Sequence, residues 1–146
     1  MTITVDLRRR AVLRGLMIGA VLAATPPAWA QDAQSVTAQK VAREWLALAD
    51  RGDGPGSWKA AGKKFQDSLT ADNWTQALAA VRSPLGEVGQ RAIIATNFDS
   101  SFPGAPEGDY AHVEFRTSFA HKLGGETITL EREADGAWHV IGYSIH

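Results

Sequence analysis

The hydrophobic pattern of this chain changes period at Gly86. Before it, apolar residues recur every three or four positions; after it, they alternate. Helical period first and strand period second predicts an α+β domain, with helices gathered on one face of an antiparallel sheet.

The helical part divides into about three segments. From Ser35 to Asp50, Val41, Trp45 and Leu48 fall at i, i+4, i+7, and Ala42, Leu46 and Ala49 widen that face. Gly52-Asp53-Gly54-Pro55-Gly56 is expected to stop this helix. A second helix is expected from Ser57 as N-cap, with Trp58, Ala61, Phe65 and Leu69 on one face. Thr70 caps a third, with Asp72 in its first turn and Trp74, Leu78 and Val81 inward; Ser83-Pro84 ends it. Trp45, Trp58 and Trp74 sit on apolar faces and are expected in the core.

Four strands follow. Val88 to Phe98 is rich in β-branched and apolar residues. From Tyr110 to Ala120, Ala111, Val113, Phe115, Thr117 and Phe119 share one face, and His112, Glu114, Arg116 and Ser118 the other. Glu126 to Glu133 alternates too, with Ile128 and Leu130 inward. Asp135-Gly136 is a hairpin signal before Trp138 to Ile145. No repeat or interdomain linker interrupts residues 31–146, which read as one domain.

Residues 1–30 read as an address. Arg8, Arg9, Arg10 and Arg14 precede an apolar stretch from Gly15 to Ala24, too short to span a bilayer, and Ala28-Trp29-Ala30 matches a signal-peptidase site. The expected cut lies between Ala30 and Gln31. Arg9-Arg10-Ala11-Val12-Leu13-Arg14 resembles the twin-arginine export signal, although Arg8 stands where Ser or Thr is usual and Val12 where Phe is. The general secretory route is the alternative. Either route implies a periplasmic or secreted bacterial protein, without stable membrane insertion after the cut. Processing would remove four arginines and Asp6, taking the formal net charge from -1 to -4 (11 basic against 15 acidic residues). That balance disfavours nucleic acid as a partner. The chain has no cysteine, which excludes disulfides, thiol nucleophiles and thiolate-bound metal clusters.

Several segments occur in a fixed order: Gly52-Asp53 with Ser57-Trp58, Arg82-Ser83-Pro84-Leu85-Gly86, Pro103 to Tyr110, Phe115-Arg116-Thr117-Ser118-Phe119, and Trp138 to Tyr143. In this the chain resembles the bacterial envelope family known as domain of unknown function 4019, over nearly all of residues 31–146. The helices-then-sheet order is similar to the cystatin-like, nuclear-transport-factor-like roll. The resemblance implies a curved sheet wrapped on a long helix. That roll carries isomerases, dehydratases, ligand carriers and interaction modules, so the resemblance implies no single activity.

The motifs of common catalysis are missing. His112, His121, His139 and His146 form no zinc-spaced helical pair, no Gly-x-Ser-x-Gly elbow exists, and the glycine loops lack a P-loop lysine. No cofactor and no metal is expected. Rolls that do acid–base chemistry place a carboxylate and a tyrosine in their cavity; here the resemblance offers Tyr143, Glu114 and Tyr110, with Asp99 and His139 as further parts. Candidate ligand-binding residues are Arg82 and Arg91, which flank the Pro84-Leu85-Gly86 turn, Trp58, and an exposed Phe102 beside the Pro103–Gly108 loop. The two arginines have a second reading, as pins at the helix-to-sheet corner. Three functions remain open: a non-catalytic module binding a protein or small ligand, a small acid–base enzyme of the isomerase or dehydratase type, and a scaffold that pairs as a homodimer through its sheet.

Overall fold

The computed structural model describes Thr25 and residues 27–146. The arginine-rich start and apolar stretch of the expected export signal lie outside these residues. Helix α1 (Ala28–Asp50) leads into three shorter helices, α2 (Gly54–Ala60), α3 (Lys63–Ser68) and α4 (Ala71–Arg82). Strands β1 (Val88–Asp99), β2 (Tyr110–Phe119), β3 (Leu123–Arg132) and β4 (Trp138–Ile145) form one antiparallel sheet in sequence order. The helices pack on one face of it, an α+β arrangement consistent with a roll.

Helix α1 begins seven residues before Ser35, and its first turn contains Ala30 and Gln31. It buries Ala38, Ala42, Trp45, Leu46 and Ala49 against the sheet. The second helical segment is two helices. Asp53, not Ser57, caps α2, accepting from the Gly56 N–H at 2.8 Å, so α2 starts one turn earlier than the sequence suggests. Ser57 is needed inside: it is fully buried, its carbonyl accepts from Trp45 Nε1 at 2.8 Å and its hydroxyl from Trp74 Nε1 at 2.9 Å. Both indole donors are thereby satisfied away from water. Gly54 permits the tight α2–α4 crossing, since a Cβ there would lie 2.7 Å from Thr75 Cα. The chain turns again at Ala61-Gly62, where the Gly62 N–H donates to Val140 O at 2.7 Å and ties the link to the β4 edge. Thr70 caps α4 as expected, accepting from the Asn73 N–H.

Trp45, Phe65, Trp74 and Tyr143 form an aromatic cluster, with ring centroids 4.9 Å apart for Phe65–Trp74 and 5.4 Å for Trp45–Tyr143. The β2 alternation holds: Ala111, Val113, Phe115, Thr117 and Phe119 are buried beneath the helices. In β1 a bulge between Ile93 and Ala95 shifts the phase, which leaves Ile94 exposed and puts Thr96 and Phe98 inward. Among the described residues no helix is long and apolar enough to cross a membrane.

Candidate functional site

The inward face of β3 is not wholly apolar. Glu126 precedes Ile128 by two residues, so alternation aims its carboxylate into the core, where it is 0 % exposed. Such a group is tolerated only with opposite charge and hydrogen bonds around it. Four elements supply them. Arg91 of β1 donates from Nε to Oε2 at 2.7 Å and from Nη2 to Oε1 at 3.2 Å. Arg82, the last residue of α4, donates to Oε1 at 3.0 Å, and the Tyr143 hydroxyl of β4 donates to Oε1 at 2.6 Å. Thr117 of β2 donates its hydroxyl to Oε2. These five donors meet a carboxylate with about four lone-pair sites, so its hydrogen-bonding capacity is used up.

Asp50 completes the cluster from the C-terminal end of α1, where the helix dipole disfavours a negative charge. Both arginines reverse that. Arg91 grips Asp50 bidentately at 2.7 and 2.9 Å, and Arg82 Nη2 joins the same carboxylate. Two arginines and two carboxylates make the group formally neutral. With Thr117 and Tyr143 it joins α1, α4 and all four strands at one corner. Burial alone would raise the Asp50 carboxyl, but the hydrogen bonds and charges of Arg91 and Arg82 outweigh it and hold Asp50 below the usual carboxylate range. Burial, and then the Glu126 charge, push the Tyr143 hydroxyl well above the ordinary tyrosine value. Burial opposes the Arg91 charge, yet Asp50 and Glu126 raise its proton affinity further. Beside the cluster an open cleft of about 370 Å³ runs between α1, α4 and the start of β1, lined by Ala49, Asp50, Leu78, Arg82 and Ser83.

The structure thus brings Arg82, Arg91 and Tyr143 together. It keeps Glu114 and Tyr110 apart from them. Glu114 lies on the outer sheet face, where Asn97 Nδ2 approaches it at 3.3 Å. Tyr110 shares that outer face and is covered from outside: its hydroxyl donates to Pro106 O at 2.7 Å and Lys64 reaches it at 3.0 Å. Phe102 is not exposed. Its ring lies 5.7 Å from Tyr110 and 6.1 Å from His112, so it helps to cover Tyr110. Trp58 packs half-buried on the core and donates to Leu69 O at 2.8 Å. Asp99 approaches His112 at 3.5 Å, and His139 pairs with Asp135 at 2.8 Å, both away from Tyr143. Among the described residues no three His, Asp or Glu side chains gather as a metal site.

Sequence reasoning missed Glu126, Thr117 and Asp50 as members of a site. The signal for Glu126 was present in the Glu126-Ile128-Leu130 alternation, since a charged residue on a strand's inward phase demands partners.

A family model described as "Protein of unknown function (DUF4019)" matches residues 41–143. The fold is similar to a solved 2.5 Å structure of a protein from Catenulispora acidiphila. That match has a TM-score of 0.52 and 12% identity, and covers 81% of this chain and 94% of that one. At such identity the likeness shows the fold alone. No curated protein matches the chain.

Proposed function

The chain belongs to the DUF4019 family, a family of unknown function, and from that premise we propose that it is an exported, non-catalytic binding module of the bacterial envelope. The observation that carries this reading is the saturation of Glu126. A general base needs a free lone pair within reach of a substrate proton. Glu126 has five protein donors and no exposed surface. The cluster is a brace for the helix-to-sheet corner, and recognition belongs to the surfaces that the brace holds rigid. Export is supported by the arginine-rich start and the Ala28-Trp29-Ala30 triplet.

One observation favours the acid–base alternative: Tyr143 and a buried carboxylate do converge, at 2.6 Å. Two guanidinium groups and the Thr117 hydroxyl beside them argue against it, because they occupy the lone pairs of the carboxylate that a substrate proton would need. Native mass measurement of protein purified from a bacterial envelope tests the reading. A small molecule or a distinct protein bound to the chain supports it. A bare chain that turns over a small carbonyl compound, and stops doing so on Tyr143→Phe, overturns it. A chain recovered only as a bare dimer moves the assignment to the scaffold.

A further inference from the structure

The inward phase of β3 runs Glu126, Ile128, Leu130, Arg132, so a charged residue closes each end of the core face. The two ends are treated differently. Glu126 is surrounded by donors, but Arg132 has no hydrogen-bonded side-chain partner among the described residues. Its Nε is buried and unpaired. The carboxylate within ion-pair range, Asp109 Oδ2, lies 3.7 Å away, beyond hydrogen-bond distance. The guanidinium is nevertheless held in place, with Cζ 4.8 Å from the ring centroid of Trp138, which is itself buried. A half-buried, oriented guanidinium with unspent donors is the group that recognises a carboxylate.

Arg132 and Trp138 also line two adjoining open cavities, of about 210 and about 240 Å³, under the N-terminal half of α1. The first has four kinds of lining group. Arg132 supplies positive charge. Asp109, about two-thirds exposed, supplies negative charge at the rim. Phe98 and Trp138, with centroids 5.8 Å apart, supply an aromatic wall. Gln34 of α1 adds an amide. The Asp109 carboxylate beside the one arginine disfavours phosphate and other multiply charged anions. The pair of opposite charges suits a ligand that carries a cation next to its carboxylate.

We propose that this cavity binds a small zwitterionic α-amino acid with an apolar side chain. Arg132 takes the carboxylate, Asp109 takes the ammonium, and Phe98 and Trp138 contact the side chain. The proposal rests on the binding-module reading and gives it a ligand class.

The test uses the full chain labelled with ¹⁵N. L-Phenylalanine and L-leucine are added at millimolar concentration, and the Arg132 Nε–H and Trp138 Nε1–H resonances are followed. Both resonances should move and saturate with at least one of the two amino acids. L-Phenylalaninamide, which lacks the carboxylate, and N-acetyl-L-phenylalanine, which lacks the ammonium, should each bind on the order of tenfold more weakly, as expected for losing one charged hydrogen-bonded contact. Arg132→Lys keeps the charge but loses the planar fork, and exposed Asp109→Asn leaves the core untouched; both should weaken binding by a similar factor with the thermal midpoint preserved. Absence of any shift with both amino acids, or equal binding of the amide, overturns the proposal. Those results leave the binding-module reading standing, since it falls only to turnover or to a bare dimer.

Discussion

Replacing Glu126 by glutamine is the sharpest perturbation of the brace. The side chain keeps its size but loses its charge, and its new amide donors face the donors of Arg82 and Arg91. Those arginine side chains are only 10% and 12% exposed, so water cannot replace the lost partner. Asp50 remains, but it lies at the outer side of the group with a quarter of its side chain exposed. Breaking one partner out of a buried ionic group costs about 3–5 kcal/mol. For a domain of this size the thermal midpoint should fall by roughly 10–15 °C. Urea unfolding followed by tryptophan fluorescence measures the loss, and an unchanged m-value confirms that the same surface is exposed. Lys63→Ala is the control. It removes a solvent-exposed i, i+4 pair with Asp67 and should cost under about 0.5 kcal/mol. Joint replacement of Glu126, Asp50, Arg82 and Arg91 by apolar residues should recover much of the loss, because no buried charge is then left unpaired. A loss below about 1 kcal/mol for Glu126→Gln would refute the bracing role.

Trp74→Ala removes a ring packed on Phe65, Trp45 and Tyr143 and leaves the buried Ser57 hydroxyl without its donor; the expected cost is about 3–5 kcal/mol by the same urea titration. Stability should also depend on pH at both limits. Asp50 is depressed in the folded state, so its contribution is complete above about pH 4 and is lost as pH falls through its folded value; Asp50→Asn should flatten the acid limb of a stability–pH curve. Tyr143 is raised, so its contribution is complete below about pH 10 and declines above it; Tyr143→Phe should flatten the alkaline limb. For export, the intact mass of envelope protein should correspond to a chain beginning at Gln31, and Arg9→Lys with Arg10→Lys should hold it in the cytoplasm if the twin-arginine route is used. Export unchanged by that pair assigns the general secretory route, and uncut chain in the cytoplasm of the unaltered strain rejects processing.

Much of the fold was legible because the periods were clean. The Ala111-Val113-Phe115-Thr117-Phe119 phase of β2 gave its buried face directly, and Thr70 and Ser83-Pro84 bounded α4 as capping and proline chemistry require. The second helix was misread where tertiary contacts override local preference. Ser57 is a good N-cap residue, yet two indole N–H groups from α1 and α4 draw it into the core, and Asp53 takes the cap. In β1 the bulge at Ile94 breaks the alternation, so its inward residues could not be counted from sequence. The candidate site was half legible. Arg82, Arg91 and Tyr143 were singled out, but their meeting point depends on Glu126, whose place follows from strand phase only when the register of β3 is known. Glu114 and Tyr110 share the outer phase of β2, and no local signal shows that a loop and Lys64 cover the tyrosine.

The Tyr143–Glu126 cluster is expected to hold the fold and to do no chemistry. Incubating the purified protein with the small-molecule fraction of its own envelope extract, followed by proton NMR of the metabolites, tests this most directly. Signals of bound metabolites should broaden or shift, none should be consumed, and Tyr143→Phe should behave alike after allowance for its lower stability. Consumption of a metabolite by the unaltered protein, abolished by Tyr143→Phe in a chain that remains folded, would contradict it.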